Sequence, residues 1–352
     1  MVEGDERYFT CNLPYQLSAY HGLMTEERVK AILEDENMSP IDFTMEMCAQ
    51  FWKQNGQSFF KVEDFLRIRK LYKPWYPPTD EQWVSEKKKM FKSWEQKRTT
   101  EKELRVLSCD IALMGSEKDK DNDLAVFTYF KCVPKKDNYI AQILYQETHE
   151  GWSARKLASR IKQLYTDGDM DYIVLDANGN GLPVLDELGM YTEYKSRGIT
   201  LPPLKAFNAD DLEERCGYRE AKPVVFGMRA NKSINHEIAV TLQASIHNKR
   251  IECLVNQIEA EDWLIQNIDG YNQLSVEEQI DLQMPYLQTT LIQNEIIELK
   301  SEVKEGYIRV FEKRGNRKDR YSSVAYGNYF IRQKEKELKD DGEADDEFLN
   351  LW

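Results

Sequence analysis

Three aspartates stand where a carboxylate is hard to explain by packing alone. Asp110 interrupts the apolar run that begins Val106-Leu107-Ser108-Cys109, and a charge inside a core-bound segment is costly unless it is paired or meets a metal. Asp176 closes the run Tyr172-Ile173-Val174-Leu175 and leads into Ala177-Asn178-Gly179-Asn180-Gly181, whose glycines let backbone approach a substrate closely. Asp319 follows the Gly315-Asn316 turn and opens a helical pattern. Taken singly, Asp176 could serve a turn and Asp319 a helix cap. Together, three acids from three elements converge only around something positive. Hard divalent cations such as Mg²⁺ or Mn²⁺ prefer carboxylate oxygens, and two ions about 4 Å apart clamp the attacking and leaving oxygens of a phosphodiester.

The surrounding pattern supplies elements able to hold these acids. Residues 106–113, 124–130 and 139–145 are β-rich runs of strand length separated by polar turns. Ser153 to Asp167 changes to helical spacing, with Leu157, Ile161 and Leu164 on one face and Ser153 as cap. Residues 172–175 read as a strand buried on both faces. Beyond them the pattern predicts a helix over 233–248, a strand over 250–255, a helix over 287–304, a strand over 307–312 and a last helix from Asp319. This succession predicts an α/β fold, an RNase H-like mixed sheet flanked by helices, over 105–338. In open α/β sheets the ligand crevice lies at the carboxyl ends of the strands.

Residues 1–104 predict a mainly helical accessory region. Thr25 caps one helix there, and Glu81 to Thr99 form a second helix-prone run. The stiff segment Tyr72 to Pro78 reads as a linker or as extended chain packed on the following domain. Residues 339–352 carry six acids and one base and read as an acidic disordered tail.

The 352 residues include 48 Lys+Arg and 61 Asp+Glu, a formal charge of −13, which excludes a basic protein that coats DNA by charge alone. No apolar run approaches the roughly 20 residues of a membrane span, so no membrane partner is expected. The six cysteines form no C-x-x-C pair and lie apart from the histidines, which argues against a zinc site.

At these residues the sequence resembles the C-terminal nuclease domain of the large subunit of tailed-phage and herpesvirus DNA-packaging terminases. The resemblance rests on Ser108-Cys109-Asp110-Ile111-Ala112 with Asp121 and Asp123 downstream, on the run from Ile173 to Leu188, and on the run from Lys318 to Ala325. It spans roughly residues 105 to 335. The stretches at Tyr8 to Tyr15 and Met45-Glu46-Met47 are similar to the segment joining a terminase ATPase to its nuclease. The resemblance implies an endonuclease using two Mg²⁺ or Mn²⁺ ions to cut concatemeric double-stranded viral DNA in the host cytoplasm. Asp110 would be shared between both metals, Asp176 and Asp319 would each complete one, and Asp123 falls near an auxiliary acid of some members. DNA contacts are expected from Lys313, Arg314, Arg317, Lys318 and Arg320 beside the third acid, and from Arg229 and Lys232. A terminase small subunit and a portal are implied as partners. So is an ATPase domain, since no G-x-x-x-x-G-K-[ST] motif occurs here and the chain reads as a piece of a longer protein. The alternatives are a non-catalytic DNA-clamping or portal-docking module, another RNase H-like polynucleotide enzyme such as a resolvase or transposase, and an actin-like ATPase.

Overall fold

In the computed structural model, residues 14–33, 47, 59–113, 124–313 and 316–349 are described, without the side chains of residues 16, 26, 31 and 33 and of 338 onward. Asp121, Asp123, Arg314 and the stretch at Met45 and Glu46 lie outside them, as does most of the stretch at Tyr8. The chain divides into two compact units, 1–57 and 58–352. In the first lie α1 (Tyr15–Tyr20) and α2 (Glu26–Leu33), and Thr25 caps α2 by accepting the Arg28 amide at 3.3 Å.

The second unit begins with α3 (Val62–Leu66), β1 (Arg69–Leu71) and α4 (Asp80–Glu86), followed by β2 (Leu104–Asp110), β3 (Ala125–Lys135) and β4 (Asn138–His149). Then come α5 (Ala154–Asp167), β5 (Tyr172–Asp176), α6 (Gly181–Leu188), the hairpin β6 (Thr192–Tyr194) and β7 (Ile199–Leu201), β8 (Leu204–Ala206), α7 (Asp210–Glu213) and β9 (Lys222–Met228). The last elements are α8 (Lys232–His247), β10 (Ile251–Leu254), α9 (Gln257–Asn267), α10 (Val276–Glu298), the hairpin β11 (Lys300–Lys304) and β12 (Tyr307–Phe311), and α11 (Asp319–Leu349).

Eight strands form one sheet in the order β1-β10-β4-β3-β2-β5-β9-β8, and β3 alone runs against the others. Counted from β2, the central five read third, second, first, fourth, fifth, which is the RNase H-like order. Alternation along the strands builds two cores. One face buries Val106 and Val174 beneath α8, α10 and α11, through Leu242, Ile296 and Val324 among others. The opposite face buries Leu107, Cys109, Ile173 and Leu175 beneath α5 and α6, through Leu157, Ile161 and Leu185.

Four expectations change here. The accessory region divides at 57/58, because β1 pairs with β10 and Trp75 enters the second core, edge-on to Tyr129 at 5.2 Å and to Tyr145 at 5.5 Å. The helix expected over 81–99 ends at Glu86. Trp94 is instead drawn into the core, where its carbonyl accepts the Trp75 indole N–H at 3.0 Å. The helix expected over 287–304 starts at Val276 under a Ser275/Glu278 capping box and stops at Glu298, since residues 300–304 pair with 307–311 in a hairpin outside the main sheet. The last helix continues to Leu349, through residues whose composition reads as disordered.

Candidate active site

The sheet's alternation decides where the acids face. Val106, Ser108 and Asp110 alternate toward the α11 side, and Val174 and Asp176 do the same on β5. Cys109 lies in register with Leu175, so Asp110 and Asp176 are neighbours at the carboxyl ends of adjacent parallel strands, about 4.8 Å apart in spacing. Asp319, at the first turn of α11, accepts the amide of Leu124 at 2.9 Å, just before β3.

Burial pushes the Asp110 carboxyl well above the ordinary carboxylate range, and the negative charges of Asp176, Asp319 and Glu295 push it further, against a smaller pull from Lys318. Burial also raises Asp176, while the Asn178 amide, donating at 3.0 Å, holds it back.

Glu295 is a fourth acid that the sequence reading missed. It sits on α10, accepts the Tyr321 amide at 2.8 Å, and is pushed up to about 7, first by burial and also by Asp319. Nothing in its helical context distinguishes it from other glutamates of α10. Only the packing of α10 on α11 brings it to the strand ends. The Tyr326 phenol faces the same cluster, kept protonated by burial and by Asp176 and Asp110.

The turn after β5 is shaped by a close approach. A side chain on Gly181 would stand 1.5 Å from the Asp176 carbonyl oxygen, so α6 can start there only with glycine. Gly181 is thus required by the chain's own backbone.

Most of the expected DNA-contacting residues that are described make ion pairs. Arg229 is paired with Asp211, and Lys232 with Glu305 at 2.8 Å. Lys313 is half-buried after β12, Arg317 is exposed, and Lys318 lies 3.4 Å from Glu312. Arg320 turns inward to Glu295 at 3.7 Å. Beside the acids, a cavity of about 270 Å³ lies among α8, the β11–β12 hairpin and α11, lined by Lys232, Arg309, Lys318, Tyr321 and Tyr326 among others.

The donor set, carboxylate oxygens alone, fits a hard divalent cation. As they stand, no three carboxylate, imidazole or thiolate groups among the described residues are close enough to enclose an ion.

The strand order and the acids at the ends of β2 and β5 define an RNase H-like domain with an acidic edge. Similar solved structures include the large terminase nuclease from thermophilic phage G20c with bound magnesium, at 13% identity over 78% of this chain and 98% of that one, with a TM-score of 0.42. The Thermus phage P74-26 large terminase nuclease domain is 12% identical over 77% of this chain and 93% of its own, with a TM-score of 0.41. The HK97 bacteriophage large terminase is 6% identical over 77% of this chain and 43% of its own, at 0.39. No family profile and no curated protein matches the sequence.

Proposed function

We propose that this chain is a metal-dependent endonuclease that hydrolyses phosphodiester bonds of double-stranded viral DNA during genome packaging. The observation carrying the reading is the coupling of Asp110 to Asp176, Asp319 and Glu295, four acids from four different elements of the fold at one edge of an RNase H-like sheet. Like charges so placed repel, and divalent cations would relieve that repulsion. Asp110 would be shared between two Mg²⁺ or Mn²⁺ ions, with Asp176 and Asp319 each completing one and Asp123 as an auxiliary ligand. Ions there would activate water and offset charge on the phosphate and leaving oxygen.

The chain's own groups orient these carboxylates. The Asn178 amide fixes Asp176, the Leu124 amide fixes Asp319, and Arg320 with the Tyr321 amide holds Glu295 beside them. Lys318 favours the ionised form of Asp110. Lys313, Arg314, Arg317, Lys318, Arg229 and Lys232 would supply phosphate contacts, and Arg320 acts inward. A terminase ATPase domain, a small subunit and a portal would be the partners, in the host cytoplasm.

The absence of a closed cage among the described residues favours one second reading, a non-catalytic DNA clamp or portal-docking module. Plasmid cleavage in Mn²⁺ separates the two. Asp110→Ala and Asp176→Ala abolish cleavage if the first reading holds, and cleavage unchanged in both variants refutes it.

A further inference from the structure

A second cleft lies round the same sheet edge, on the other face. His149 ends β4 in register with Ala125, next to the Val126–Asp110 pair, so it lies at the edge that carries the acids. It packs on Phe127, a residue of the α5/α6 core, and therefore faces away from Asp110. Here His149, Trp152, Lys156, Ser159, Arg160 and Tyr194 line a cleft of about 600 Å³.

The cleft's cations are placed differently from those beside the acids. The Lys156 ammonium forms no ion pair among the described residues and rests 3.8 Å from the centre of the Trp152 ring, while His149 stacks on that ring at 3.7 Å. Two groups so close to one ring centre cannot share a face, so Trp152 is sandwiched. Its ring serves as a platform for the cation, with no face left for a nucleobase.

Arg160 is fixed from behind. Its Nε and Nη2 donate to the half-buried Glu147, at 2.8 and 2.6 Å, and its Nη1 donates to Gln163 at 2.7 Å. Glu147 also receives the Tyr145 hydroxyl at 2.6 Å and His149 Nε2 at 2.8 Å. These bonds use three of the five guanidinium N–H donors, a further hydrogen bond ties the group to the Tyr145 hydroxyl, and one donor is left for the cleft that Arg160 lines. Asp80, the carboxylate that lines the cleft, is held by Arg197 at 2.7 Å.

An ammonium with no ion pair among the described residues and a pre-oriented guanidinium, in a cleft that Ser159 also lines, suit a phosphate group. Strands β2 and β4 are two spacings apart, about 10 Å. That separation is well within one helical turn of a duplex, about 34 Å. We propose that this cleft holds backbone phosphate of the DNA duplex engaged by the acidic edge. The proposal rests on the nuclease reading and adds a second point of attachment on the opposite face of the sheet.

The test is equilibrium binding of a short blunt DNA duplex to the full chain in Ca²⁺, followed by fluorescence anisotropy over a range of salt. Lys156→Gln and Lys156→Glu, at an exposed position, are compared with Lys222→Gln, an exposed lysine at the amino end of β9. The expected result is several-fold weaker binding for Lys156→Gln and more for Lys156→Glu, with the slope of log affinity against log salt reduced by about one. An effect no larger than that of Lys222→Gln, or an unchanged slope, overturns the proposal. So does pyrophosphate binding that needs Lys156 while duplex binding does not, since the cleft would then take a free phosphate compound. Mn²⁺-dependent cleavage by the unaltered chain is scored separately: its failure sinks the nuclease reading and leaves the binding result intact.

Discussion

Ser108 and Ser323 are bonded to each other twice: each hydroxyl donates to the other residue's backbone carbonyl, at 2.7 and 3.0 Å. Ser108 lies two residues before Asp110, and Ser323 one helical turn after Asp319. The reciprocal pair therefore sets the position of the third acid relative to the first. The chain of bonds continues through the Thr128 hydroxyl at 2.7 Å to Gln146 at 2.9 Å, tying α11 to β2, β3 and β4 without solvent.

Replacing Ser323 by alanine leaves the Thr128 hydroxyl, which still accepts from Gln146, without an acceptor for its own proton in the core. The expected cost is about 1–3 kcal/mol, read as a lower urea midpoint at unchanged slope. Cleavage by the folded protein should fall as well, because Asp319 loses its reference to β2. Full activity in a destabilised Ser323→Ala protein would count against this positioning role.

A related close approach occurs one turn further along α11. A side chain on Gly327 would come 2.4 Å from the Phe130 ring and 2.9 Å from Ser108 Cβ. Gly327→Ala is expected to lift α11 off the sheet and destabilise the protein by about 1–3 kcal/mol, measured by thermal or urea unfolding.

Asp110 is raised by burial first and by three neighbouring acids next, so its charge opposes folding when no cation is bound. Asp110→Asn should melt at or above the wild-type temperature in chelator. Mn²⁺ at about 100 times its Kd should stabilise the wild type by about 2.7 kcal/mol and leave the variant unchanged. Equal Mn²⁺ stabilisation of both proteins, in calorimetry, would place the ion elsewhere.

Glu147 shows the opposite electrostatics. Burial works against its ionisation, but hydrogen bonds from Arg160 and His149 outweigh it and bring the carboxyl down to about 2 from the usual 4.5. With the folded value below the unfolded one, the stabilisation is complete above about pH 4.5 and is lost as pH falls toward 2. At neutral pH it amounts to about 3 kcal/mol on the scale of about 1.4 kcal/mol per unit. Glu147→Gln should remove this acid-limb slope from a plot of stability against pH, with the variant less stable at neutral pH because Arg160 loses its partner.

The order of strands and helices was legible in the sequence because each element carries its own period. Apolar runs ending in Asp110 and Asp176 mark strands, and the spacing of Leu157, Ile161 and Leu164 marks a helix capped by Ser153, whose hydroxyl accepts the Lys156 amide at 3.4 Å. Asp110 and Asp176 stood out for the same reason, since a charge that ends an apolar run is a local anomaly, and Asp319 stood out by opening a helical pattern after a turn. Glu295 was not, since a glutamate on a long helix is locally unremarkable and acquires meaning only from the packing of α10 on α11. The extent of α10 and the separate β11–β12 hairpin were hidden because residues 287–304 suit a helix until cross-strand pairing competes for them. Sequence also left open which face each acid would share. Strand register decided that, putting Asp110 and Asp176 on the α11 side, while the packing of α5 placed Lys156 and Arg160 on the other, because contacts between distant segments are made only in the folded chain.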